Sequence, residues 1–254
     1  MRVADTVDAQ FILDTGAGMP VISNSLLRRI ASKPQGRFTS FRHTGERVDL
    51  DIFQIEALSI GGFRQDKPIV STSSLLDSMK IDGILSMKFF EHHPFTLDLC
   101  DSLLVFETAS SVSERARTGR LVSIKVTSLR GKPLDVFADF RVADSLRLEC
   151  ILDTGSLATM IDARFLTVLG IDTSSSMVLK MARKTVLGAS ETEYIASIPS
   201  IAIWGDSASA VKNPRITFKC GLIYDGLVGT DYLLGRRITF DIAGGYMIVN
   251  TGSM

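Results

Sequence analysis

The chain has 254 residues, enough for one large domain or two lobes of ordinary size, and its 45% apolar and 22% charged content is that of a folded globular protein. Its 28 Lys and Arg balance 28 Asp and Glu, which argues against a surface built mainly for nucleic acid or anionic lipid. No apolar run approaches the roughly 18 residues that cross a bilayer, and the opening "MRVADTVDAQ" lacks the apolar core of a signal peptide. The compartment stays open: cytoplasmic if the chain starts natively at Met1, periplasmic or secreted if it was trimmed.

In chain order, a short apolar strand in "FILDTGAGMPVIS" (11–23) runs into Asp14, Thr15 and Gly16. A second strand follows, then a helix-like segment, "NSLLRRIA", for which Ser23 is a good N-cap. "FRHTGERVDL" reads as a hairpin with His43, Thr44, Gly45 and Glu46 at its tip. "DGILSMKFFEHHPFTLDLCDSLLVF", from Asp82, opens with a tight Asp-Gly turn. It continues as an apolar strand and one or two helical turns, and ends in a hairpin through Cys100, Asp101 and Ser102. The stretch "ETASSVSERARTG" (107–119) has linker composition. The expected boundaries are a lobe over 1–108, a linker over 109–119 and a lobe over 120–254.

The second half begins with a hairpin or meander, "RLVSIKVTSLRGKPLDVFADFRVADSLRLECIL", and then repeats the first. "CILDTGSLATMID" places Asp153, Thr154 and Gly155 behind another Ile-Leu, with Ala17 replaced by Ser156 at the next position. Asp162 stands where Ser23 stood and caps "ARFLTVLG", with Gly170 as its stop. "MARKTVLGASETEY" turns near Leu187, Gly188 and Ala189. "DGLVGTDYLLGRRITFDIAGGYMIV", from Asp225, matches the Asp82 block, Thr239 aligning with Thr96 and Asp241 with Asp98. Only thirteen residues precede Asp14, so either the first lobe borrows strands or the chain was trimmed. The expected class is all-β: two similar β-barrel lobes of about seven strands, each with short helices.

An Asp behind three apolar residues is costly in a core unless it is paired, and two such sites suggest that the carboxylates meet. Two carboxylates about 3 Å apart cannot both ionise, so the pair keeps one proton. The ionised member can take a proton from water, and the protonated member can polarise a carbonyl and protonate the leaving amine. The expected catalytic pair is Asp14 and Asp153, titrating as a unit. Gly16 and Gly155 let backbone approach the carboxylates closely, and their amides are placed to donate to carboxylate oxygen. A Ser156 hydroxyl can donate to Asp153 where Ala17 has nothing to give, so Asp153 is expected to ionise more readily, with a less acidic pH optimum.

Two Asp-Thr-Gly triplets, each followed about 70 residues later by Asp-Gly and two apolar residues, resemble the aspartic proteases. "ILDTGAGMPVIS" is similar to the active-site turn of retropepsins, and "ILDTGSLATMI" sits nearer the pepsin form. The resemblance implies a single chain of two fused retropepsin-like lobes in a pepsin-like bilobal arrangement, an acid protease fold. It implies that Thr15 and Thr154 cross-bond between the loops. It also implies an inter-lobe cleft for an extended peptide, gripped by a flap from each lobe: His43, Thr44 and Gly45 in one, Leu187, Gly188 and Ala189 in the other. Where the family has Gly, the first lobe has Ser86 against Gly229 in the second. Ser86 would serve as an N-cap for "MKFF", and it weakens the first lobe's support if that position needs positive φ.

The resulting expectation is a monomeric aspartic endopeptidase that uses no cofactor and no metal. The alternatives are a catalytically weak or inactive peptide-binding module of the same fold, a protease whose lobes pair across a dimer, and a duplicated β-domain in which Asp-Thr-Gly is only a turn. His92 and His93 are adjacent and point apart, so they do not suggest a metal site. Cys100, Cys150 and Cys220 are too scattered for disulfides or metal spacing and read as small core residues. Trp204 reads as half-buried strand packing.

Overall fold

The structure, a computed structural model, describes residues 1–184 and 190–251. Among them are 25 mostly short strands and only seven short helices, so the all-β, two-lobed expectation holds with more and shorter strands than the seven per lobe foreseen. The duplication read from the motifs is a duplication of topology. In the first lobe six strands lie in the order Phe11–Leu13, Gly83–Leu85, Val21–Ser23, Ile69–Ser73, Arg47–Ile55 and Ser32–Phe41. In the second, the order Leu146–Leu152, Gly226–Val228, Met160–Asp162, Arg215–Lys219, Ser190–Ser197 and Leu179–Lys184 repeats it strand for strand. Each strand that carries Asp-Thr-Gly pairs in parallel with the strand of its Asp-Gly block.

The Asp-Gly signal has a second use besides its turn. Asp82 accepts the Gln10 amide at 2.8 Å and Asp225 accepts the Glu149 amide at 3.0 Å. Each carboxylate thereby pins the strand that leads into the Asp-Thr-Gly loop. The two cap residues also act as read. Ser23 Oγ accepts the Leu26 amide and Asp162 Oδ1 accepts that of Arg164, although the segments they start are single turns, Asn24–Leu27 and Ala163–Phe165.

The first lobe supplies its own opening strands, short ones. Arg2–Val3 pairs with Val7–Asp8 and with Ala57–Ile60, setting Val3 opposite Leu58. The second lobe has the same register, Val142 opposite Ile201, in a hairpin of full length, Asp135–Val142 and Leu146–Leu152.

The lobes are joined by a shared sheet in the order Leu103–Phe106, Phe95–Asp98, Arg236–Asp241, Tyr246–Thr251 and Arg120–Ser123. Its centre sets Phe95 opposite Phe240 and Thr96 opposite Thr239, with the two threonine hydroxyls bonded at 2.6 Å. Phe89, Phe90 and Phe95 are buried in the core beneath it and stack through to Phe240. Each such buried side chain contributes roughly 1.5–3 kcal/mol.

Three expectations are corrected here. The segment read as a linker is a helix, Ala109–Thr118. Thr108 and Ser111 form a capping box at its start, Arg115 binds Glu107 at 2.6 Å, and Val112 is its one buried residue. A single apolar contact leaves the composition polar, which is why it looked like a linker. Of the cysteines only Cys150 is buried; Cys100 and Cys220 are exposed, because both fall in loops after the strands that bury their neighbours. Trp204 follows its strand and stays exposed, with the Arg147 guanidinium 5.1 Å from its ring. No helix among the described residues is long and apolar enough to cross a membrane.

Candidate active site

The two Asp-Thr-Gly loops meet at the junction of the lobes. Each Asp amide is held by the carbonyl that ends the parallel partner strand, Asp14 by Leu85 and Asp153 by Val228, both at 2.9 Å. The loops are then tied to each other four times. Thr15 Oγ1 donates to the Leu152 carbonyl at 2.7 Å, and Thr154 Oγ1 donates to that of Leu13 at 2.8 Å. The Thr15 amide donates to Thr154 Oγ1 at 3.1 Å, and the Thr154 amide to Thr15 Oγ1 at 3.0 Å. This crossed arrangement is the one the resemblance implied. A buried network with every member satisfied fixes one geometry and resists adjustment.

The network brings the Asp14 and Asp153 carboxyls into hydrogen-bonding contact. Gly16 donates to Asp14 Oδ1 at 2.9 Å and Gly155 to Asp153 Oδ1 at 2.8 Å. Glycine is required at both places, since a Cβ on Gly16 would overlap the Asp153 carboxyl and one on Gly155 that of Asp14. Burial, and then the charge of Asp153, push Asp14 up to about 7. Asp153 is raised too, by burial, but it is also relieved by bonds from Asp14 and from the Gly155, Ser156 and Gly16 amides. Both carboxyls are raised, so the pair titrates as a unit that keeps one proton at mildly acid pH, and the amides around Asp153 favour its charged form.

The reason is not the one expected. The Ser156 hydroxyl donates to the Ala158 carbonyl at 2.8 Å, not to Asp153, because the loop curls so that the following carbonyl is nearer. Ser86 departs from expectation as well. It makes no side-chain cap bond, and its φ of −102° is ordinary extended backbone, so no positive φ is at stake. Its hydroxyl is buried and has no partner among the described residues.

The first-lobe hairpin tip closes over the carboxylates. Arg42 and Glu46 bond across the tip, and Gly45 turns it with a φ of +74°. His43 Nε2 lies 3.7 Å from Asp153 Oδ2. The His43 carbonyl accepts the Ile223 amide of the other lobe at 2.8 Å. Beneath the tip is a cleft of about 440 Å³, lined among others by Asp14, Met19, Thr44, Leu50, Pro133 and Lys219. The second flap tip, Leu187, Gly188 and Ala189, lies outside the described residues. Among the described residues no three His, Cys, Asp or Glu side chains are grouped to hold a metal; His93 packs edge-on to Phe63.

Sequence reasoning missed the second-lobe groups that complete the site. Ile223 and Tyr224 reach His43 from a loop with no motif. Thr159, buried, gives its amide and hydroxyl to Asp231 at 2.9 and 2.6 Å and accepts the Gly229 amide. The signal for that brace was present in the repeat: Pro20, which has no N–H, stands opposite Thr159.

Residues 1–89 match the family model for aspartyl proteases, a span that contains the first Asp-Thr-Gly loop, the hairpin that carries His43 and the start of the first Asp-Gly block. No sequence among curated proteins matches the chain. Among solved structures, basic 7S globulin from soybean is similar over 96% of this chain and 87% of its own, at 12% identity and a TM-score of 0.52. Conglutin gamma, a basic 7S globulin from lupine seeds, is similar over 96% and 88%, at 10% identity and a TM-score of 0.51. A retropepsin-like aspartic protease from Rickettsia conorii matches 52% of this chain and 89% of its own, at 16% identity and a TM-score of 0.38. The first two likenesses extend the two-lobed fold over nearly the whole chain.

Proposed function

We propose that this chain, whose residues 1–89 match the aspartyl protease family model, is an aspartic endopeptidase in which Asp14 and Asp153 activate water against an extended peptide held between the lobes. The observation that carries this reading is the meeting of two crossed Asp-Thr-Gly loops that set the buried Asp153 carboxyl against the half-buried Asp14, each placed against the other loop's glycine, with Asp14 raised to about 7 by burial and by Asp153. A globular fold that only stores or binds has no use for such a pair, which costs stability wherever it is not needed.

The division of labour follows from the environment of each group. Asp153 is the general base: the amides around it favour its charged form, and it removes the proton from water. Asp14 is the general acid: it holds the shared proton, polarises the scissile carbonyl and then protonates the leaving amine. The glycine amides and the crossed threonines hold both carboxylates in place at no reorganisation cost during the reaction. The cleft beneath the flap is lined by Met19 and Leu50, which favours apolar side chains beside the cut, and Ser32–Phe41, the edge strand of the hairpin, offers strand-type hydrogen bonds to a peptide.

The second reading, a peptide-binding module without turnover, draws on Ser86, the unpartnered hydroxyl of the first loop's support, and on a fold shared with seed globulins. Cleavage of a mixed peptide library at pH 4–7 separates the two. Turnover that falls about a thousandfold or more in Asp14→Asn and in Asp153→Asn establishes the protease. Peptide binding without cleavage by the unaltered chain establishes the module.

A further inference from the structure

We propose that His43 is a removable plug of this active site: its imidazole stands over Asp153 where water and the scissile carbonyl have to be, and substrate enters by displacing it. The proposal rests on the aspartic protease reading for the identity of the site, and on three contacts for the plug itself. His43 Nε2 is 3.7 Å from Asp153 Oδ2, within the space that a water bound to the carboxylate would occupy. The His43 carbonyl is hydrogen-bonded to the Ile223 amide, so the hairpin tip of one lobe is fastened to a loop of the other. Gly45 lies against Ile223, and the imidazole faces the Tyr224 ring at 6.5 Å between centroids. A tip fastened at this point covers Asp153 while the cleft beneath it stays open along Asp14.

The plug is titratable. The charged and titratable groups that face it are Asp14 and Asp153 from the two loops, Arg42 and Glu46 from its own hairpin, Lys219 from the second-lobe wall, and Asp135 and Tyr224 beside the opening. The imidazole is only partly covered, with 41% of the side chain exposed, and that partial burial holds it below its ordinary range; Asp14 opposes this in part and Arg42 adds to it. The sign then follows by linkage. The closed form binds a proton on His43 less readily than an open, solvated flap does, so protonation favours opening. Acid that protonates His43 thereby favours an open flap, and acid also supplies the proton that the dyad holds. The hairpin and the dyad are thereby set to become competent together.

A closed plug taxes substrate binding by the fraction of time it is closed, so one closed nine-tenths of the time raises KM about tenfold. His43→Ala is expected to lower KM for a peptide substrate by about that factor and to act on KM rather than kcat. His43→Gln, which fills the same space but does not titrate, is expected to restore a KM near that of the unaltered protein and to abolish its fall with acid. An unchanged KM in His43→Ala, or an equal pH dependence in His43→Gln, overturns the plug. A second arm needs no turnover. In NMR titrations, the Ile223 amide is expected to move and lose exchange protection in step with the His43 ring, and to stop doing so in His43→Gln. An Ile223 amide indifferent to His43 overturns the plug. If no variant cleaves peptide, the protease reading fails while the NMR arm still decides the plug.

Discussion

The two Asp-Thr-Gly loops share a backbone path but are held from behind in different ways. In the second lobe Thr159 and Asp231 form a brace, the Gly229 amide joins it, and Thr230 donates its amide and hydroxyl to the Ser156 carbonyl. In the first lobe Pro20 replaces Thr159, Lys88 stands where Asp231 would and pairs with Glu91 at 2.5 Å, and Ser86 replaces Gly229. One lobe satisfies its backbone donors with side chains; the other removes a donor by using proline. The glycine in one and the serine in the other follow from this. At Gly229 the Ala158 backbone approaches so closely that an added Cβ would lie 2.6 Å from its carbonyl carbon. The first lobe leaves room for a full side chain at the same point.

The sharpest way to break this comparison is to put the serine of one lobe into the other. Gly229→Ser forces Cβ into the Ala158 backbone, with a cost of about 3 kcal/mol in stability. It also moves the loop that holds Asp153, and a displacement of about 1 Å there lowers kcat roughly a hundredfold. Chemical denaturation and peptide cleavage read the two effects, and a Gly229→Ser protein with unaltered stability would mean that the lobes are held alike.

The second prediction concerns the charge on each loop. Asp14 is raised to about 7, first by burial and then by Asp153. A carboxyl raised in the folded state contributes stability that is complete below about pH 4 and is lost as pH rises through about 7. Asp14→Asn removes this dependence, so the variant is expected to gain about 4 kcal/mol on the unaltered protein between pH 4 and pH 8. Asp153, relieved by neighbouring amides, gives a smaller gain on the same replacement. Thermal unfolding across that pH range checks both, and equal gains would show that the loops do not differ in how they hold charge.

How much of this was legible in the sequence depends on how local each requirement is. The Asp-Thr-Gly loops could be read because contact between the carboxyls demands glycine at Gly16 and Gly155, and because Thr15 and Thr154 act through short, fixed reaches. The Asp-Gly blocks were legible as turns, and Thr96 and Thr239 as repeat partners, although their meeting at the junction of the lobes was not foreseen. The hydroxyl of Ser156 was misread because a single rotamer decides between Asp153 and the Ala158 carbonyl, and composition does not specify rotamers. The contacts of His43 with Asp153 and Ile223 join residues 110 and 180 positions apart from surfaces with no periodic pattern. They exist only once the lobes are docked.

The third prediction tests the brace itself. Asp231→Ala strips the buried Thr159 of the acceptor for its amide and its hydroxyl, at a cost of about 2 kcal/mol. Lys88→Ala at the matching place removes only a partly exposed ion pair and is expected to cost under about 1 kcal/mol. Denaturant midpoints of the two variants rank the lobes directly, and the reverse ranking would place the rigid loop in the first lobe.

The smallest effect is expected where the two lobes differ most visibly. Ser86 carries a buried hydroxyl with no partner among the described residues, a feature that costs roughly 1–3 kcal/mol on its own. Ser86→Gly removes that cost. It also gives the unfolded chain more freedom, which takes back about 0.5–1 kcal/mol, and it loses the packing of Cβ. With φ at −102°, glycine gains nothing from the backbone conformation. The terms nearly cancel, and the net change is expected to stay within about 1 kcal/mol of zero, on the stabilising side. Cleavage should change less than twofold, since the Leu85 carbonyl that holds Asp14 belongs to the neighbouring residue and keeps its place. A tenfold gain in kcat from Ser86→Gly would mean that the first lobe's loop is strained by its serine, and that the two lobes differ in catalytic fitness as well as in the way they are braced.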